Sequence, residues 1–305
     1  MNKFAVYTVI TGGFDGVQQP LVIDKRFDYI LFVDEPQSAT VGVWQVRPIG
    51  YSHPDARQRS RFPKVHPEIC LADYEASLYI DGNIQVTSQW VYDRCVELYE
   101  SGAEWSGVRH VSRNSIYEEL DEITMRCWVH DYDALKWYIF LRNDGYGPAE
   151  NTSFGFFYEN GIIFRRHTEK VKQVEDVWWW TLENWVRRDQ FSLMYALWKV
   201  GDVKTDFILP KNETIYKNSG HFSYGFHNPN VRQLPLSAWE RFRISSMKLQ
   251  KCETPYIVLF EKIYTQKNPF LMLNLYTVYV ILRYGLIITL DKIYRMIKIK
   301  VFNRK

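Results

Sequence analysis

Apolar residues in the first third of the chain come mostly in runs rather than in strict alternation. Residues 4–10 (FAVYTVI), 29–33 (YILFV), 43–46 (VWQV) and 76–80 (ASLYI) each read as a strand rich in β-branched and aromatic side chains. A strand exposed on one face alternates, so runs of this kind predict strands covered on both faces, as in a parallel sheet joined by crossovers. Three of the runs stop on polar groups: residues 4–10 run into Thr11-Gly12-Gly13, 29–33 onto Asp34, and 76–80 onto Asp81-Gly82-Asn83. The carboxyl ends of such strands are where α/β proteins gather ligands.

Further along, helical patterns cover residues 89–100, stopped by Ser101-Gly102, and 133–141, ending before Gly145-Tyr146-Gly147-Pro148. Trp178-Trp179-Trp180 lies on another helix, and Asp189-Gln190 opens one more through Trp198. Short strands are predicted at 107–111 and 206–209, and 218–228 reads as a loop of His, Gly and aromatic residues. Residues 153–158 and 161–165, joined by Glu159-Asn160, predict a hairpin. Pro63 and Pro67 predict that no long helix crosses residues 54–68.

Residues 270–290 (FLMLNLYTVYVILRYGLIITL) are nearly all apolar but contain Asn274 and Arg283. A charge near the centre of a bilayer span costs about 2.5 to 3.5 kcal/mol, so an interfacial helix followed by the basic stretch 292–305 is the expectation, with a terminal helix docked on the body as the alternative. The pattern therefore predicts an α/β domain over 1–235 and a helical, membrane-associating segment over 236–305. The formal charge of +3 is concentrated in the tail, where residues 283–305 hold seven Lys or Arg against Asp291; the rest of the chain is acidic by about three charges. That excludes a broadly basic nucleic-acid-binding body. With 46% hydrophobic and 16% aromatic residues the chain can bury a substantial core. Cys70, Cys95, Cys127 and Cys252 are widely spaced, without metal-binding spacing, and read as thiols of a reducing compartment. The opening MNKFAVYTVITGG breaks early and has no small-residue cleavage site, so it reads as a first strand and places the body in the cytosol.

Asp81 and Asn83 offer two oxygen donors around Gly82, a set suited to Mg²⁺ or Mn²⁺ and through it to a diphosphate; the same tripeptide is also a common turn. Just before it, Arg57, Arg59, Arg61 and Lys64 form a cationic segment whose guanidinium forks match phosphate oxygens, or which is a solvated face. At the first strand end Thr8, Thr11, Gly12 and Gly13, and at the second Asp34, are candidates for donor contacts. Asp189 is a favoured residue type for capping the helix it opens, and equally a group that could orient sugar hydroxyls or act as a base beside Gln190.

SLYIDGNI closely resembles the strand-and-acid motif of a glycosyltransferase-like family long known as a domain of unknown function, found in plant mucilage and turgor-related proteins and in bacterial polysaccharide clusters. RFPKVHP at 61–67, R-x-x-I-Y-E-E at 113–119, GIIFRRH at 161–167, and WWW at 178–180 followed by RRDQFSLMY at 187–195 are similar to the same family, over roughly residues 4–200. The resemblance implies a GT-A-like (Rossmann-like) mixed, mainly parallel sheet flanked by helices, a nucleotide-diphospho-sugar donor, and a glycan or lipid-linked acceptor. It also implies an Asp-x-Asp-type site for Mn²⁺ or Mg²⁺, here Asp81 and Asn83, with His221 or His227 as a third ligand. Arg59, Arg61 and Lys64 would face the diphosphate, and Asp189 and Gln190 the donor sugar. Glu150, Arg165, His167 and Trp185 are candidates for the acceptor side, Arg165 and His167 equally residues that merely finish a strand, and Glu118, Glu119 and Glu150 are reserve candidates for a base. A non-catalytic carbohydrate-binding protein and a metal-dependent nucleotide-sugar phosphohydrolase are the alternatives.

Overall fold

A computed structural model of the chain describes residues 3–125, 129, 131–147, 154–185, 188–216, 219–225 and 256–265, with the isolated positions 274 and 278. It divides into two compact units, residues 1–114 with 156–234, and 115–155 with 235–305.

The first unit is built on one sheet. Strands β1 (Phe4–Ile10), β2 (Phe27–Val33), β3 (Thr40–Val41), β4 (Trp44–Pro48), β5 (Ala76–Ile80), β7 (Trp105–Arg109), β8 (Tyr158–Arg166) and β9 (Thr205–Phe207) lie in the order β3-β4-β2-β1-β5-β8-β7-β9. The β4-β2-β1-β5 core is parallel, as the continuous apolar runs predict; β8 is antiparallel to both β5 and β7, and β9 pairs parallel with β7. Helices α1 (Ala56–Val65), α2 (Pro67–Cys70), α3 (Trp90–Glu100), α6 (Glu169–Asn184) and α7 (Asp189–Val200) belong to this unit.

Strand period fixes which side chains serve which face. Phe4 and Val6 of β1 and Leu78 and Ile80 of β5 join one buried cluster with Val91, Tyr92, Cys95 and Leu98 of α3. The alternate residues Tyr7, Ser77 and Tyr79 face the other way, where the Tyr7 hydroxyl donates to the Lys64 carbonyl of α1. Asp81, two residues beyond Tyr79, continues on the α1 side, and the Tyr79 hydroxyl reaches its Oδ1 at 2.6 Å. Each large side chain fully buried in this core stabilises the sheet by about 1.5–3 kcal/mol.

One local expectation holds in part, since no single helix crosses residues 54–68 although Pro63 does not interrupt α1, and two are corrected. Helix α1 runs through Pro63 and breaks at His66, where Pro67 opens α2; Asp55 caps its start by accepting from the Arg57 N–H. Residues 158–166 form one continuous strand and not the second arm of a hairpin. Glu159 and Asn160 lie inside it, because the register against β7 jumps from Gly107↔Ile163 to Val108↔Glu159. The loop expected at 218–228 contains β10 (Phe222–Tyr224), which pairs antiparallel with β6 (Ile84–Val86), just past Asp81-Gly82-Asn83.

In the second unit α4 (Ile116–Met125), α5 (Asp131–Asn143) and α8 (Tyr256–Thr265) pack together. Tyr138 of α5 donates its hydroxyl to Glu261 of α8, and Arg142 pairs with the same carboxylate at 3.3 Å. Glu118 and Glu119 open α4, the first exposed and the second buried. Among the described residues no helix is long and apolar enough to cross a membrane. Residues 270–290 and the basic stretch beyond lie outside the described residues, apart from 274 and 278.

Candidate functional site

The carboxyl ends of β1, β2 and β5 carry two connected groups of polar side chains. At β2, Asp34 accepts from the Arg59 guanidinium in a two-pronged pair, Nε to Oδ1 at 2.6 Å and Nη2 to Oδ2 at 3.2 Å. Its Oδ2 also accepts from the Gly12 backbone N–H at 3.0 Å. Gly12 has φ +57°, a conformation costly to a side-chain-bearing residue, and an added Cβ would meet the Ala56 Cβ at 3.3 Å. The Thr11 hydroxyl donates to the Ala56 carbonyl, so β1, β2 and the start of α1 are tied together. Thr8 is buried within β1, three residues before Thr11. The Arg59 contact holds the Asp34 carboxyl below the usual carboxylate range.

Asp34 and Arg59 line a cleft of about 480 Å³ together with Glu35, Ile49, Gly50, Tyr51, Ser52 and His53. Tyr51 lies parallel to His53 and to Phe62, at ring separations of 6.2 and 4.7 Å, with Trp179 edge-on at 5.3 Å. Flat aromatic rings beside an acid and an arginine suit a planar base with a hydroxylated sugar.

At β5, the second group centres on Lys64. Its ammonium lies 2.7 Å from Asp189 Oδ2 and 3.4 Å from Asp81 Oδ1, and 4.8 Å from the Tyr79 ring centroid. The Lys64 side chain is only 8% exposed, Asp189 19% and Asp81 35%. Burial opposes the charge on Lys64, but Asp189 and Asp81 outweigh it and raise its pKa. Burial likewise opposes the charge on Asp189, yet Lys64, then Arg61, hold that carboxyl well below the usual range, with Arg188 adding to the effect. Asp189 is the first residue of α7 and does not cap it; its side chain is turned to Lys64. The buried Trp178 fixes that helix start by donating to the Asp189 carbonyl at 3.0 Å. Gln190 accepts from Arg188 at 2.6 Å. Gly161 lies against Asp81, where an added Cβ would come within 3.3 Å of Oδ2 and 3.0 Å of Ile84 Cδ1.

The sequence-predicted residues thus separate. Thr11, Gly12, Asp34 and Arg59 come together at β2, and Lys64, Asp81 and Asp189, with the charge of Arg61, at β5. Gly13 follows Gly12 in the same turn, also at positive φ.

Asn83 and His221 are placed differently from a ligand set around Asp81. The Asn83 amide donates to the Gly225 carbonyl at 2.9 Å and the residue is buried. His221 bonds Ser88 at 2.8 Å through Nδ1 and stacks on Trp90 at 4.1 Å. Among the described residues no three His, Cys, Asp or Glu side chains gather as metal ligands do. Asp81 shares its Oδ1 with the Lys64 ammonium and the Tyr79 hydroxyl, so a fixed cation already stands at the oxygen a divalent ion would use, and the residues present do not fit an all-protein ligand set for one. His227 lies outside the described residues.

The acceptor expectations change as well. Arg165 is fully buried: it pairs with Glu175 at 3.1 Å, and donates to the Tyr7 hydroxyl at 2.8 Å and to the Lys64 carbonyl. Its guanidinium is enclosed beneath α1 and faces no acceptor. His167 bonds Ser77 at 2.8 Å, at the end of β5 opposite Asp81, and burial lowers its pKa to about 4. Trp185 ends α6, its N–H donating to the Thr181 carbonyl. Glu150 lies outside the described residues.

Tyr79, the Tyr51–His53 wall and the buried carboxylates were not singled out by sequence. Glu175 is fully buried and, with Glu68, flanks the Arg165 network; Glu68 in turn bonds His66 at 2.9 Å. Two consecutive polar residues, Glu159-Asn160, inside an otherwise apolar stretch were the available signal for the buried acid of β8.

Residues 1–219 match the TOD1/MUCI70 glycosyltransferase-like domain. A comparison with curated proteins gives no match. The matched span holds all eight strands of the sheet and every member of the Lys64 and Asp34 groups, within the helix-flanked α/β architecture of a GT-A-like, Rossmann-type fold. The chain belongs to the TOD1/MUCI70 glycosyltransferase-like family.

Proposed function

We propose that the protein transfers a sugar from a nucleotide-diphospho-sugar to a glycan or lipid-linked acceptor, using the strand-end groups at Asp34 and Asp81. The observation that carries this reading is the Lys64 ammonium held between Asp81 and Asp189 at the end of β5, with the aromatic cleft at β2 in the same unit. The base and ribose would occupy the cleft against Tyr51, His53 and Asp34. The diphosphate would lie toward Lys64, Arg61 and Arg188, whose charges stabilise the electron pair that the leaving group takes as the glycosidic bond breaks.

Asp189 and Asp81 would accept hydrogen bonds from the donor sugar's hydroxyls. Asp189 is held so far on the ionised side that it suits orientation better than proton abstraction, which favours a group with pKa near the working pH. A tail rich in Lys and Arg would hold the enzyme to an anionic membrane surface, on the cytosolic side; replacing Lys298, Lys300 and Lys305 by Glu should then release it from anionic vesicles.

The test is release of nucleoside diphosphate from a panel of nucleotide-sugars, with and without glycan acceptors. Asp81→Ala and Asp189→Asn should each lower turnover about 100-fold or more while the far-ultraviolet circular dichroism is kept. Unchanged turnover in both variants would overturn the assignment, and formation of nucleoside monophosphate and sugar 1-phosphate in place of nucleoside diphosphate would favour the phosphohydrolase.

A further inference from the structure

The geometry points to a donor site whose cation is built into the chain: the Lys64 ammonium occupies the place beside the strand-end aspartate that a divalent ion would take, and the donor diphosphate binds without a metal. The inference rests on the nucleotide-diphospho-sugar reading above and deepens it.

Three observations carry it. The ammonium is shared by the two acids, at 2.7 Å from Asp189 and 3.4 Å from Asp81, and is enclosed in the fold with an 8% exposed side chain. A divalent ion on Asp81 would sit about 2.0–2.1 Å from a carboxylate oxygen, next to this fixed positive charge, and the two would repel. The residues that the Asp-x-Asp resemblance offers as partners are each held toward other groups: the Asn83 amide nitrogen donates to the Gly225 carbonyl beside β6, and His221 is stacked on Trp90 and bonded to Ser88 through Nδ1. Finally, Lys64, Arg61 and Arg188 act on Asp189 together, so cations outnumber Asp81 and Asp189 where the diphosphate is placed.

Lys64 is also held as a structural part. Its carbonyl accepts from Arg165 and Tyr7, both buried, so the backbone that carries the ammonium is fixed from below. A preorganised cation of this kind stabilises developing charge without reorganising. In the transfer, the donor C1–O bond breaks and its electron pair stays on the diphosphate. The new bond forms to the acceptor hydroxyl oxygen, whose proton passes to water. No redox partner is needed.

Titration calorimetry of the full chain with UDP, GDP, CDP and ADP, each in excess EDTA and in millimolar Mn²⁺, tests the inference. One nucleotide should bind with an affinity that agrees within about twofold between the two conditions. Binding that requires Mn²⁺ would overturn the internal-cation inference and leave the transferase reading standing. No binding of any of the four in either condition would instead count against the nucleotide-sugar reading itself, and the inference would fall with it. Manganese electron paramagnetic resonance adds a readout without nucleotide: the wild-type chain should leave Mn²⁺ free, whereas Lys64→Ala, with two carboxylates relieved of their cation, should bind it. Tight Mn²⁺ binding by the wild-type chain would contradict the inference.

Discussion

Lys64 and Asp189 are 125 residues apart in sequence and form a 2.7 Å ion pair at the carboxyl edge of the sheet. The pair joins α1 to the first turn of α7 and, through the 3.4 Å contact to Asp81, brings both helices to the end of β5. Because the ammonium is buried, removing it leaves Asp81 without its ion-pair partner and Asp189 with only the charges of Arg61 and Arg188. Lys64→Met should destabilise the fold by about 3 kcal/mol, and adding Asp189→Asn should recover part of the loss. Urea denaturation of the single and double variants measures the coupling; additive effects would mean that the two groups do not act on each other.

Arg165 supports the same point from beneath. Both it and Glu175 are fully buried, and breaking such a pair from one side costs about 3–5 kcal/mol, whereas replacing both with apolar residues of similar volume costs far less. Arg165→Met should therefore lower the denaturation midpoint sharply, and Arg165→Met with Glu175→Leu should restore much of it. A single variant as stable as the parent would contradict the burial of this charge.

Glu159 gives a pH dependence with a definite sign. Burial is the main cause that raises its pKa from the ordinary 4.5 to about 7, against the opposing Val111 N–H and the Arg113 charge. Below about pH 4.5 the folded and unfolded chains both hold the proton, and there is no penalty. As pH rises toward 7 the unfolded chain loses the proton first, so stability falls by an amount on the order of 3 kcal/mol and then levels. Glu159→Gln should remove that component from the pH profile of the unfolding free energy. An unchanged slope between pH 4.5 and 7 would show that the acid is not held protonated.

The aromatic cleft predicts a separation of binding from turnover. Tyr51→Ala removes the ring that lies parallel to His53 and Phe62, and stacking of a base on an aromatic side chain contributes about 1–3 kcal/mol. Nucleotide affinity should fall about tenfold or more, with little change in the rate at saturating donor. A fall in saturated rate with affinity intact would place the base elsewhere.

How much of this could be read from the chain depended on the range of the interaction. Residues 4–10 and 29–33 were legible as buried parallel strands because an all-apolar run is a local property, and Asp34 and Asp81 were legible as strand-end acids for the same reason. The resemblance of SLYIDGNI to its family was also local, and it brought the GT-A-like fold with it. What was not legible was tertiary. Asp189 read equally as a helix cap and as a donor-sugar group because its partner, Lys64, lies far off in sequence, and Arg165 read as an acceptor contact because nothing nearby announces Glu175. Glu159-Asn160 read as a turn because two polar residues normally end a strand; here a register jump against β7 lets the strand pass through them.

The most direct test of the central reading is the thermal shift of the full chain against a panel of nucleotide-sugars, made with the parent and with Asp81→Ala. One donor should raise the parent's melting temperature in a concentration-dependent way, since a ligand that binds only the folded chain stabilises it by mass action, and the variant should show a much smaller shift while melting cooperatively on its own. No shift with any donor, or an equal shift in parent and variant, would contradict the placement of a nucleotide-diphospho-sugar at the end of β5.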